Sequence, residues 1–125
     1  MNSNNDVEIF MLAGQQNVAT TPGIPRDRVT QGTLYMKLIK EEFDELMYAW
    51  NEEDIIEVAD ACADLKWVIE GMEHTLGINQ QAVWDEVARS NMSKMVGGKL
   101  IKREDGKVLK PDTFVQPDIK KALGL

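Results

Sequence analysis

Apolar residues recur along this chain every three or four positions, in long runs separated by short polar or Gly/Pro-containing breaks, as in α-helices joined by brief connections. Asp6 is placed to cap a first helix through Val7, Ile9, Phe10, Met11 and Leu12, ending near Gly14. Residues 15–26 read as loop, with Pro22, Gly23 and Pro25 as breakers. Asp27 is expected to cap a second helix to about Asn51, with Ile39, Phe43, Leu46 and Trp50 as its buried stripe. After a polar break, a third helix is expected from about Asp54 to Leu76, stopped by Gly77. Its stripe is Ile55, Val58, Cys62, Leu65, Ile69, Met72 and Leu76. Asn79 should cap a fourth helix, through Val83, Trp84 and Val87, to about Lys94.

Gly97-Gly98 is expected to end the helical part. Lys99–Arg103 and Lys107–Lys110, around Glu104-Asp105-Gly106, read as a small β-hairpin, and Asp118–Leu123 as a last helical turn. The whole pattern predicts an all-α, antiparallel four-helix-bundle-like domain with a small C-terminal hairpin and tail. It reads as a single domain over 1–125, with a helical core at about 6–95 and a basic hairpin and tail at about 96–125.

Charge sharpens the picture. Residues 1–88 carry 5 basic and 17 acidic side chains, whereas residues 89–125 carry 9 basic and 4 acidic. The overall net charge of −7 argues against general binding to nucleic acid polymers, which needs Lys and Arg to displace counterions. An acidic body with a basic tail suits a site holding a cation and an anionic ligand together, and equally a solvated basic tail. No apolar run approaches the roughly 20 residues that span a bilayer, and the start has no basic region of a signal peptide. With one cysteine, Cys62, expected to be a small buried residue, no intrachain disulfide forms. A cytoplasmic setting away from membranes is the expectation.

The acidic residues are not spread evenly. Glu41-Glu42-x-x-Glu45 lies on the second helix; Glu57, Asp60 and Asp64 lie on the third. At about 100° per residue, Glu42 and Glu45 fall at the edge of the second helix's apolar stripe, one turn apart, and Glu41 leans outward. On the third helix Glu57, Asp60, Asp64 and Trp67 share the side opposite the main stripe, flanked by Ile56, Ala61, Ala63 and Val68. A helix apolar nearly all round is buried on more than one side. Carboxylates within such a surface must be paired or bound to metal. The only cation near them, Lys66, lies off the acidic face. Oxygen-only donors without cations point to Mg²⁺, with Mn²⁺ as an alternative.

The spacing Glu41-Glu42-x-x-Glu45, then eleven residues, then Glu57-x-x-Asp60 resembles the signature of the all-α nucleoside triphosphate pyrophosphatases. That superfamily includes the MazG proteins, the dimeric dUTPases and phosphoribosyl-ATP pyrophosphohydrolase. Leu38–Leu46, Glu57–Gly71, Glu86–Lys94 and Arg103–Pro111 extend the resemblance over nearly the whole chain, towards a compact MazG-like subgroup often labelled phosphoribosyl-ATP pyrophosphohydrolase-like. The resemblance implies a Mg²⁺-dependent hydrolase converting a nucleoside triphosphate, a dNTP or non-canonical NTP, to the monophosphate and pyrophosphate. It implies Glu42, Glu45, Glu57 and Asp60 as metal ligands, with the choice between Asp60 and Asp64 open because Asp60 precedes Ala61 where relatives have Leu or Val. Glu41 would position or deprotonate the attacking water. Asn91 and Lys94 would meet the nucleotide, Arg103 and Lys107 its phosphates, and Trp67 is a candidate base contact.

Three alternatives stand beside this reading: phosphoribosyl-ATP hydrolysis in histidine synthesis, a non-catalytic helical interaction module of the same fold, and a di-iron carboxylate bundle. The last needs Glu-x-x-His on two helices, and His74 is the only histidine. No G-x-x-x-x-G-K-[ST] and no Cys/His cluster is present. The two-sided apolar character of the third helix predicts a homodimer or homotetramer.

Overall fold

The computed structural model describes residues 22–125; the helix expected from Asp6 to Gly14 lies outside the described residues. Those residues hold four α-helices and one two-stranded antiparallel sheet, so the fold class is all-α as the periodicity implies. They form two compact units, one ending at Gly77 and the other spanning Ile78–Leu125.

The first unit is a helical hairpin. Pro25 leads into a 3₁₀ turn, Arg26–Arg28, which runs into α1, Val29–Asn51. Asp27, the expected cap, lies inside that turn. Arg28 occupies the cap position instead, and no side chain caps the helix. Arg28 also donates from Nη1 to the Thr75 carbonyl at 3.3 Å, joining the start of α1 to the end of α2, Ile55–Thr75.

The connection between the two helices closes with a Schellman pattern: Glu53 N–H bonds to Trp50 O at 3.0 Å and Asp54 N–H to Ala49 O at 3.2 Å. Glu53 takes the left-handed conformation there, at φ 55°. Asp54, read from the sequence as the start of the helix, caps α2, its Oδ1 accepting from Ile56 N–H at 3.1 Å and Glu57 N–H at 3.2 Å. Gly77, at φ 68°, ends it.

Small residues bring the helices together. Ala49 and Ala61 are each 4% exposed, and the Tyr35 ring lies so close over Gly71 that a β-carbon there would collide with it. The contact face of α1 is rotated from the expected stripe. Tyr35, Glu42 and Leu46 are half-buried around Ala49, while Phe43 is 46% and Trp50 73% exposed. Helix periodicity locates an apolar face only to within about a residue's rotation, and Gly71 and Ala61 draw the close approach toward the Tyr35–Ala49 side. Cys62, expected to be buried, is exposed because the Ala61 side of α2 meets α1.

In the second unit Asn79 caps α3, Gln80–Met92, accepting from Ala82 N–H at 3.2 Å. The helix stops two residues short of Lys94, where Ser93 turns its hydroxyl onto the Ser90 carbonyl at 2.6 Å. β1, Met95–Val96, pairs with β2, Lys99–Leu100. Gly97 and Gly98, at φ 56° and 76°, make the two-residue turn whose double positive φ glycine tolerates. The expected hairpin of residues 99–110 is reduced to one bridge, Lys102 with Val108, because β2 is paired to β1. The tail returns to α3: Ser90 Oγ donates to Val115 O at 2.7 Å, Val115 N–H to Ser93 Oγ at 2.9 Å and Asp118 N–H to Glu86 Oε1 at 2.8 Å. Asp118 caps the last helix, α4, Ile119–Ala122.

Candidate functional site

Because α1 turns its Tyr35–Ala49 side toward α2, Glu42 projects into the contact and Glu45 follows one turn later at its edge. Asp64 meets them from α2. One carboxylate oxygen from each of Glu42, Glu45 and Asp64 lies within 4.8 Å of the others. Glu42 and Asp64 are half-buried, Glu45 exposed. The Glu42 Oε2 atom is enclosed and has no hydrogen-bond partner among the described residues. None of the three belongs to an ion pair in that part of the chain; the nearby Lys40 is engaged by Asp44, at 2.6 and 2.8 Å.

Three negative charges held this closely resist ionisation. Burial raises the Glu42 carboxyl above the ordinary value, helped by a hydrogen bond shared with Glu45 and by the charges of Glu45, Asp64 and Glu41. Asp64 is also raised, first by the charge of Asp60, then by burial and by Glu45. Asp60 thus stands beside Asp64, one turn away on the exposed side of α2. Glu57 and Glu45 share the wall of an adjoining cavity of about 730 Å³, completed by Asp44, Tyr48, Ala49, Glu52 and Asp54. Among the described residues no basic side chain lines it.

Such a set fits a hard divalent cation. All donors are carboxylate oxygens, as Mg²⁺ or Mn²⁺ prefer, and the enclosed Glu42 Oε2 would gain a partner that none of the described residues supplies. The geometry also bears on the alternative the spacing left open: Asp64 is the α2 acid grouped with Glu42 and Glu45, while Asp60 backs it and Glu57 faces the cavity. Glu41 is exposed and acts on the cluster through its charge. Trp67 is exposed, one turn beyond Asp64 on α2. Tyr48 escaped the sequence reading, although its place three residues after Glu45 puts it on the same side of α1.

The expected nucleotide contacts belong to the second unit. Lys94 Nζ donates to Asn91 Oδ1 at 2.9 Å and stands 5.8 Å from the Phe114 ring centre, with Lys110 Nζ at 5.0 Å. Arg103 is held by Asp105, with Nη2 to Oδ2 at 2.5 Å. Asp105 also accepts the Lys107 N–H, at 3.0 Å, and the Lys107 residue is exposed.

The family model described as phosphoribosyl-ATP pyrophosphohydrolase matches residues 9–91. The chain belongs to this family. The match spans every acid of the cluster together with Trp67 and Asn91; Lys94, Arg103 and Lys107 fall beyond it. The phosphoribosyl-ATP pyrophosphohydrolase family takes its description from a nucleotide pyrophosphohydrolase. It is also similar to an uncharacterized protein, L479, of Acanthamoeba polyphaga mimivirus, at 48% identity over 46 residues, which is 37% of this chain and 18% of the viral protein. Among the described residues no helix is long and apolar enough to cross a membrane.

Proposed function

We propose that the protein hydrolyses a nucleoside triphosphate, a dNTP or a non-canonical NTP, to the monophosphate and pyrophosphate, with Mg²⁺ or Mn²⁺ at the α1–α2 carboxylates. The observation that carries this reading is the convergence of Glu42, Glu45 and Asp64 around an enclosed, unpartnered Glu42 oxygen. When bound, the divalent cation supplies charge neutralisation and polarisation of the phosphate oxygens. Glu42, Glu45 and Asp64 hold it; Asp60 and Glu57 add negative charge alongside. Glu41, exposed beside the cluster, accepts a proton from the attacking water. The oxygen of that water joins the α-phosphorus, and the bond from the α-phosphorus to the α–β bridging oxygen breaks, so that oxygen leaves with pyrophosphate. Asn91 and Lys94 contact the nucleotide, Arg103 and Lys107 the phosphates, and Trp67 the base.

Phosphoribosyl-ATP is the second substrate reading, favoured by the description of the matching family. Pyrophosphate release from canonical and modified (d)NTPs, compared with release from phosphoribosyl-ATP, with Mg²⁺ and with Mn²⁺, decides between them. Glu42→Gln and Glu45→Gln should each abolish turnover at unchanged helical content. Full activity in both variants would remove the cluster from the chemistry.

A further inference from the structure

The unit of residues 78–125 carries a charged cluster of its own, and it is basic. Lys94, just after α3, and Lys110, in the tail, bring their ammonium groups to one aromatic ring. The two Nζ atoms stand 5.8 and 5.0 Å from the Phe114 ring centre, within the reach at which a ring face attracts a cation. The backbone fixes this meeting. Val115 N–H donates to Ser93 Oγ at 2.9 Å and Ser90 Oγ to the Val115 carbonyl at 2.7 Å, which seats Phe114 next to the end of α3. Phe114 N–H donates to the Pro111 carbonyl at 2.9 Å, a turn that brings Phe114 back toward Lys110. Leu109 N–H donates to the Ile101 carbonyl at 2.8 Å and steadies the approach to Lys110.

What the cluster offers a ligand is donors. Among the described residues neither lysine belongs to an ion pair, whereas Arg89 is paired with Glu86 and Arg103 with Asp105. Lys94 Nζ donates to Asn91 Oδ1 at 2.9 Å, and the amide nitrogen that this leaves to Asn91 can only donate. Two like charges drawn to one ring repel each other, and the ring neutralises neither. Lys94 and Phe114 are half-buried, while Lys110 and Asn91 are exposed, so the donors are open to solvent. Ammonium groups from two separate segments suit an anion whose charge is spread over adjacent groups, as in a chain of phosphates. We propose that Lys94 and Lys110, gathered by the Phe114 ring, grip two neighbouring phosphate groups, with Asn91 as a further donor. The proposal rests on the hydrolytic reading for its ligand class, a nucleotide carrying a pyrophosphate and the pyrophosphate it releases. To that reading it adds Lys110 as a phosphate contact and Phe114 as a positioning residue.

Calorimetric titration of the full, metal-free chain with inorganic pyrophosphate tests the grip apart from turnover. The parent protein should bind pyrophosphate saturably, and about tenfold more tightly than orthophosphate, which reaches one ammonium at a time. Lys110→Gln should raise the pyrophosphate Kd about tenfold at unchanged helical circular dichroism, while Lys110→Arg, which keeps the charge, should stay within about threefold of the parent. Phe114→Leu should weaken binding about threefold, and Phe114→Tyr, which keeps the ring face, should bind as the parent does. Absence of pyrophosphate binding by the parent overturns the proposal, and so does a parent-like Kd in Lys110→Gln. Equal weakening in Phe114→Tyr and Phe114→Leu removes the ring from its positioning role. The two readings fail separately. Pyrophosphate binding without release of pyrophosphate from any nucleotide sinks the hydrolytic reading and leaves the grip. Turnover by a Lys110→Gln variant with the parent's KM and pyrophosphate Kd sinks the grip and leaves the hydrolytic reading.

Discussion

Glu42 is a side chain unfavourable for stability and, on the proposed reading, useful for function. Its carboxyl is half-buried, one oxygen is enclosed without a partner among the described residues, and Glu45 and Asp64 crowd it. Glu42→Gln and Asp64→Asn should therefore raise the melting temperature of the metal-free protein while abolishing Mn²⁺ binding in calorimetry. A variant that is less stable and still binds the ion would contradict this account. Glu53 is a second local cost. A non-glycine residue in the left-handed region at φ 55° gives up about 1 kcal/mol to its β-carbon, so Glu53→Gly should gain roughly that in denaturant unfolding. The residue types and positions of the acids were legible in the sequence. Their partners were not, because Asp60 and Asp64 lie one turn apart on one side of α2, and only the register of α2 against α1 selects which one opposes Glu42.

Among the elements, the expected cap Asn79 held, and Asp54 and Asp118, which the sequence placed only at helix starts, also accept backbone N–H groups. Asp27 did not, because Pro25 favours a turn that consumes it before the α-helix begins. The close approach of α1 and α2 at Gly71 gives a sharp expectation. Alanine is the better helix former by about 1 kcal/mol, but its β-carbon would collide with the Tyr35 ring, and overpacking costs about 1–3 kcal/mol. Gly71→Ala should lower the melting temperature, and the loss should vanish in a Tyr35→Leu background.

The tail is held by Glu86, which accepts from Arg89 and from the Asp118 N–H; these bonds lower its pKa to about 2 from the ordinary 4.5. The stabilisation is present above the unfolded-state value and is lost as pH falls toward about 2. Glu86→Gln should therefore be less stable than the parent at neutral pH, with the difference closing between about pH 4.5 and 2 in thermal melts. The acid-rich and basic-rich ends of this arrangement were visible in the sequence; the bonds from α3 to the tail were not, since they join residues 22 to 32 positions apart.

At the scale of the whole molecule, a divalent cation held by the acidic cluster, as proposed, would couple folding to metal binding. A ligand that binds only the native state at about 100 times its Kd adds about 2.7 kcal/mol to the unfolding free energy. Mg²⁺ or Mn²⁺ should raise the melting temperature of the parent protein, a chelator should reverse the shift, and Asp64→Asn should lose it. An unchanged melting curve in saturating Mn²⁺ would argue that the carboxylates do not form an ion site.

Sequence alone determined the helical class, the approximate ends of the long helices and the concentration of acids on two consecutive helices, because periodicity and capping are local and each helix writes its own pattern. The tertiary structure decided which side of α1 meets α2, that Glu42 belongs within that contact while Phe43 and Trp50 do not, and that Asp64 rather than Asp60 joins the cluster. Those outcomes depend on where the smallest residues allow two helices to approach, a relation between distant positions that no single helical repeat contains.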